Sequence, residues 1–223
     1  MRASPRAQRS KTSVAVVVLG LAILAFAAIA YRDHLPGRNR PPVMSVKPLW
    51  IGPSIRVGQP QPYAPNDAWA EFLPPQSACA GSTAEPVNES VAEQAMLCAL
   101  NYARVKQGLH ALSLSPRLRT ASRLKALDII RCQDFSHEAC GKDARAVADE
   151  AGYPHVTWGE NIYAGSGPFA PARVAADGWL NSEHHRENLF RPQWTEQGVA
   201  VVVARTFKGQ RNVAIWVSEF GER

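Results

Sequence analysis

Residues 14–30 carry no charge, consist almost wholly of Val, Leu, Ile and Ala, and follow a basic cluster from Arg2 to Lys11. Such a run after positive charges is expected to be an export signal. It is slightly short for a membrane span of roughly 20 residues and long for a cleavable apolar core. Ala28-Ile29-Ala30 also offers a small-x-small cleavage pattern. The reading is a basic cytoplasmic N-terminus over residues 1–12 and a signal anchor over residues 13–31, with a cleaved signal peptide as the alternative. Both place the rest of the chain outside, in a single-pass membrane protein or a secreted one.

From residue 35 to residue 86 the periodic apolar pattern disappears, and eleven prolines interrupt any regular backbone ladder. Residues 32–86 therefore read as a proline-rich linker, with Trp50, Tyr63, Trp69 and Phe72 as aromatic residues that could dock on a following domain. Regular patterns return near Val87. Ser90-Val91-Ala92-Glu93 has the form of a capping box, and Leu97, Leu100 and Arg104 follow at helical spacing before Gly108. Ser115-Pro116 opens a second helix, with Leu118, Ala121, Leu127 and Ile130 as its apolar positions. A third helix is expected over residues 143–151, a strand over 157–163, and a helix over 172–180 followed by a short one capped by Ser182. Residues 198–205 and 212–220, rich in Val and Ala around Lys208-Gly209-Gln210, read as a buried hairpin. Helices first and strands mostly later predict an α+β layered domain over residues 87–223.

Charge changes one inference. Residues 1–40 hold seven of the 25 basic residues against one of the 19 acidic residues, so the net charge of +6 lies there. The remainder is balanced at 18 of each sign, which argues against nucleic acid as a partner. The four cysteines, Cys79, Cys98, Cys132 and Cys140, form no Cys-x-x-Cys pair, so neither a zinc ribbon nor a thioredoxin-like site is supported.

Three polar groups stand out at element ends: His137, Glu160 and His185. If the fold joins them, two imidazoles and a carboxylate could hold a divalent metal and leave positions open for water. Without a metal, Glu160 could hydrogen-bond one imidazole. The plainer reading is three separate polar side chains, since spacing alone does not bring them together.

The order of motifs adds a resemblance. Leu100-Asn101-Tyr102-Ala103-Arg104, Phe135-Ser136-His137, Gly159-Glu160-Asn161-Ile162, Trp179-Leu180-Asn181-Ser182 with His185-Arg186-Glu187-Asn188, and Gly198-Val199-Ala200 occur in the order seen in the CAP superfamily. The chain resembles a bacterial member of that family of cysteine-rich secretory, antigen 5 and pathogenesis-related 1 proteins, also called SCP domains. The resemblance covers essentially the whole expected domain. It implies an α-β-α sandwich with a cleft where His137, Glu160 and His185 converge, flanked by Ser182. Animal and plant members usually carry a second glutamate at the position of Ser182, so the implied metal site has one carboxylate fewer.

Ser182 reads as a helix N-cap before it reads as a nucleophile, and His184 as a solvated neighbour or a substitute ligand. The run from His184 to Asn188 lacks two histidines one helical turn apart and is no zincin motif. Trp158 and Trp179 read as core residues. The expected bridges are Cys132–Cys140, which would restrict the loop carrying His137, and Cys79–Cys98, which would tie the linker to the first helix; four buried thiols are the alternative.

The family is a poor guide to activity, because a shared fold does not fix what its site does. The expected function is a non-enzymatic binding module outside the cytoplasm. Its cleft would hold a divalent metal, zinc foremost, and take a lipid, cell-envelope or protein ligand. The alternative is a metal-dependent hydrolase with Glu160 or a histidine as the base, and a third reading is a purely structural envelope protein.

Overall fold

The structure, a computed structural model, describes residues 67–154 and 157–222. The segment at residues 14–30 and most of the linker, including Trp50 and Tyr63, lie outside the described residues. Among the described residues no helix is long and apolar enough to cross a membrane.

Helix α1 spans Glu89–Lys106, and its N-cap is Asn88, whose side chain accepts the Val91 N–H at 3.2 Å. The expected capping box at Ser90 does not form. Glu93 turns inward instead, where its carboxylate receives Arg119 Nε at 2.7 Å and Nη2 at 2.6 Å. Helix α2 spans Pro116–Cys132, with Ser115 at its N-cap and proline at the first helical position as expected, and it ends at Gln133 in the left-handed region. Helix α3 is shorter than the pattern suggested, Ala146–Glu150. Asp143 accounts for the lost turn: its side chain accepts the Arg145 N–H at 2.9 Å and so holds a local turn instead of a helical one.

Strand β2 (Trp158–Ser166), helices α4 (Ala172–Leu180) and α5 (Glu183–Leu189), and strands β3 (Glu196–Phe207) and β4 (Gln210–Gly221) complete the expected series. Lys208 at φ 45° and Gly209 at φ 79° close the hairpin with the two left-handed residues that suit strand twist. One strand was not anticipated, the two-residue β1 (Ser113–Leu114), which pairs parallel with the start of β3.

The sheet order is β1-β3-β4-β2, with β4 antiparallel to both neighbours. Side chains of a strand alternate between faces, so β4 feeds two cores. Ala214, Trp216 and Phe220 pack with α1, α4 and α5, while Val213, Ile215 and Val217 pack with Ala126 and Ile129 of α2. The result is an α+β fold of three layers, an α-β-α sandwich.

Residues 67–86 are more than a spacer. Leu73 and Cys79 are buried, and Trp69, Phe72 and Phe190 form an aromatic cluster with ring centroids 5.0 to 6.1 Å apart. The Arg186 guanidinium lies 4.4 Å above the Trp69 ring. Cys79 bridges to Cys98 in the middle of α1, and Cys132 bridges to Cys140, as expected.

Gly198 lets β3 approach α2. A Cβ there would collide with the α2 backbone at Leu118 and Arg119, and the Ser122 hydroxyl donates across this contact to the Gly198 carbonyl at 2.9 Å. Since backbone cannot give way as a flexible side chain can, Gly198→Ala should destabilise the fold by about 3 kcal/mol. A urea-unfolding midpoint unchanged by the substitution would show that the helix and strand can separate freely.

Candidate functional site

The left-handed Gln133 turns the chain back at the end of α2, and the Cys132–Cys140 bridge closes the loop that follows. His137 therefore returns alongside α2, where the Lys125 ammonium donates to its backbone carbonyl. Its ring Nδ1 lies 2.6 Å from Glu160 Oε1. With a carboxylate as partner, the hydrogen of this pair sits on Nδ1 and leaves Nε2 as the ring's acceptor. Glu160 Oε2 is in turn 3.8 Å from Lys125 Nζ, and the side chains of both residues are 1% exposed.

Alternation along β2 splits the Gly-Glu-Asn motif between two layers. Glu160 faces α2, whereas Asn161 donates to the His185 carbonyl at 3.0 Å and accepts from Asn188 at 2.9 Å. Gly159 makes room for this, because a Cβ there would stand 2.5 Å from the Asn188 oxygen and 2.9 Å from Trp194. One three-residue segment thus fixes the His137 ring and the backbone of α5 together.

The opposite end of α5 is held by Arg104, whose side chain is buried and donates to the carbonyls of Leu189 at 2.6 Å, Arg191 at 3.1 Å and His110 at 3.0 Å. Burial lowers its pKa to about 10. Cations near helix C-termini are favoured by the aligned carbonyl dipoles, which compensates for the lack of a carboxylate in this contact. Asn101, one turn earlier, exchanges hydrogen bonds with Leu112 and accepts from Gln197. The Asn101 and Arg104 of the first motif are therefore scaffold residues, Arg104 fixing the end of α5 and Asn101 tying α1 to Leu112 and to Gln197 of β3.

His185 is partly buried within electrostatic reach of His137. Burial first, then the charges of His137 and His184, lower its pKa to about 4. It is therefore a neutral imidazole at physiological pH, and its buried Nδ1 has no hydrogen-bond partner among the described residues. His184 is exposed, with Nδ1 3.8 Å from Glu187. Ser182 occupies the N-cap of α5, where its carbonyl accepts the Arg186 N–H but its hydroxyl makes no capping bond. No hydrogen bond joins that hydroxyl to a histidine, so the geometry of an activated nucleophile is not formed. Trp179 is buried and donates to the Ile162 carbonyl, and Trp158 packs beside Leu118 and Tyr153, so both are core residues.

The structure brings His137 and Glu160 into contact and sets His185 nearby, but Glu160 stands behind His137. Among the described residues no three His, Cys, Asp or Glu side chains gather around one point. The donors fit a site of two imidazoles with Glu160 orienting one from the second layer, a common arrangement around metal-binding histidines. They do not fit Glu160 as a direct ligand.

Two further residues were missed by sequence reasoning, Lys125 and Glu219. Glu219 lies opposite Glu160 in the β2–β4 register and is completely buried. A signal for each existed. Glu219 is in phase with Val213, Ile215 and Val217, and Lys125 is in phase with Leu118, Ser122 and Ile129, so both periodicities place a charge in the core.

Burial, then the charge and hydrogen bond of Glu160, hold the Glu219 carboxyl well above its ordinary value of 4.5, against smaller opposing effects of Lys125 and Trp158. A raised folded-state value gives stability that is whole below 4.5 and is lost as pH rises through the folded value. Glu219→Gln keeps the shape of the neutral acid without its ionisation. Its melting temperature should gain on wild type as pH rises from about 5 to about 9. A difference that stays constant over that range in thermal melts would mean that Glu219 does not titrate within the fold.

Known proteins resemble this chain. The sequence profile of the cysteine-rich secretory protein family, CAP, matches residues 97–220. The uncharacterized protein YkwD of Bacillus subtilis is 29% identical over 140 residues, 62% of this chain and 50% of that protein, so the chain spans half the length of this curated relative. The crystal structure of an extracellular SCP-domain protein from Bacillus anthracis superposes with a TM-score of 0.51 at 23% identity, over 60% of this chain and 41% of that one. An outer surface protein of Borrelia burgdorferi superposes with a TM-score of 0.49 at 20% identity, over 57% and 90% of the two chains. With the family profile covering more than half of its length on the fold just described, this chain belongs to the cysteine-rich secretory protein (CAP) family.

Proposed function

We propose that this protein is an extracytoplasmic binding module whose cleft at His137 and His185 takes a lipid, cell-envelope or protein ligand, with a divalent metal bridging protein and ligand. The observation that carries the reading is the enclosure of Glu160. Its side chain is 1% exposed and committed to His137 at 2.6 Å. It is therefore turned away from any water that a general base would have to reach. A hydrolase built on Glu160 lacks its base in this geometry, whereas a binding site needs only His137, whose side chain is 20% exposed, and the partly buried His185.

Two imidazoles suit zinc, copper, nickel and iron alike, and zinc is taken as the probe. His137 through Nε2 and His185 would hold it, and a metal so bound would supply a coordination bond to an oxygen or nitrogen of the ligand. The neutral state of His185 down to about pH 4 supports ligation, since an imidazolium cannot donate a lone pair.

Location is supported by three observations. Two disulfides are formed, which suits an oxidising compartment. The apolar run at residues 14–30 follows basic residues, and a structural relative is named as extracellular. The chain is read as tethered by that run with its domain outside, or released after cleavage.

The test is isothermal titration of zinc into the purified, metal-stripped protein beside a His137→Ala/His185→Ala variant shown to be folded. Micromolar or tighter binding that disappears in the variant is the expected result. Identical isotherms for the two proteins would remove the metal from the reading. Turnover of an ester or peptide substrate that is lost in Glu160→Gln would replace the binding module with the hydrolase.

A further inference from the structure

A carboxylate removed from water needs compensation, and a histidine aimed by a loosely held carboxylate is not aimed at all. The His137–Glu160 contact alone supplies one hydrogen bond to one oxygen.

Lys125 supplies the opposite charge, at ion-pair and not hydrogen-bond distance from the second oxygen, which accepts no hydrogen bond among the described residues. Its ammonium donates to the backbone carbonyl of His137 and stands 3.8 Å from Glu160 Oε2, while Glu160 Oε1 takes the ring of the same histidine. The contacts close a loop, from ammonium to His137 backbone, through its side chain to Glu160, and back to the ammonium. Glu219 closes the far side across the strand pair, so Glu160 has no solvent to turn toward. A lysine buried to 1% in the middle of an amphipathic helix is an uncommon choice. Methionine or leucine would pack α2 against the sheet without desolvating a charge.

We propose that Lys125 is a positioning residue for His137. It grips the backbone of that histidine and the carboxylate behind its ring together, which fixes the hydrogen on Nδ1 and presents Nε2 to the cleft. The consequence for metal or ligand affinity rests on the binding function proposed above; the consequence for the His137 tautomer does not.

Long-range proton–nitrogen correlation spectra of the full-length, nitrogen-15-labelled, metal-free protein near neutral pH read the tautomer directly. In wild type, His137 should carry its hydrogen on Nδ1 with a bare Nε2. In Lys125→Met, shown to unfold cooperatively, the His137 signals should move to the averaged values of a mixed tautomer while those of exposed His110 and His184 stay in place. Zinc affinity should fall by about tenfold or more, as for other second-layer changes behind a metal-binding histidine. Lys125→Gln is the second variant, since it keeps a donor for the His137 carbonyl but no cation for Glu160, and the same tautomer shift is expected there. A wild-type His137 with its hydrogen on Nε2, or variants that lose stability while keeping the wild-type His137 signals, would overturn the proposal. Zinc that fails to bind wild type, with the tautomers behaving as stated, would overturn the metal reading and leave the positioning role standing.

Discussion

Strand β4 is buried on both faces for nine consecutive residues, from Val213 to Gly221. A strand in that position can exchange nothing with solvent, so each side chain on it must find its partner within the helical layers or between neighbouring strands. Most of β4 meets this requirement with aliphatic and aromatic groups. Ser218 and Glu219 do not, and they sit at the end of the strand where the site is built. The cluster of Glu160, Glu219 and Lys125 therefore arises from the same two-sided burial that holds the sandwich together.

The two faces of the sheet also explain why the site joins distant parts of the chain. His137 comes from the layer containing α2 and His185 from the layer containing α5; the two layers are joined at the site through the strands, while elsewhere Arg119 and Arg123 of α2 pair directly with Glu93 and Glu89 of α1. β2 is the connection. Its alternation turns Glu160 toward one histidine and Asn161 toward the helix of the other, so a displacement of the strand end would move both partners together. Arg104 secures the remaining end of α5 by donating to the carbonyls that a short helix leaves open. The site is thus a property of strand and helix ends, held by polar contacts to backbone.

How much of this the sequence carried can be judged residue by residue. The helix boundaries at Gly108, Pro116 and Leu180 and the turn at Lys208-Gly209 were legible because they depend on local backbone chemistry. The helix start at Asn88 was misplaced by two residues because Ser90 and Glu93 matched a capping pattern, and a long-range partner, Arg119, outcompeted the local one for Glu93. Strand β1 was not legible, since two residues carry no periodicity and pair only because β3 passes beside them. His137, Glu160 and His185 were found by motif, but that Glu160 stands behind His137 was a matter of three-dimensional order that spacing cannot express. Lys125 and Glu219 are readable from phase, as charges at positions that helix and strand periodicity assign to the core.

The Cys79–Cys98 bridge has a mechanical side. From Asp67 the chain crosses Trp69 and Leu73 on the body of the fold and is then joined covalently to the centre of α1. A pull from that direction would peel away the aromatic cluster and the Glu71–Lys106 contact and stop at the sulfur atoms. Tension would then act across the middle of an 18-residue helix buried against the sheet, in shear, instead of unzipping it from its first turn. The segment from Asp67 onward is thus fastened to the core of the domain by a covalent bond as well as by packing.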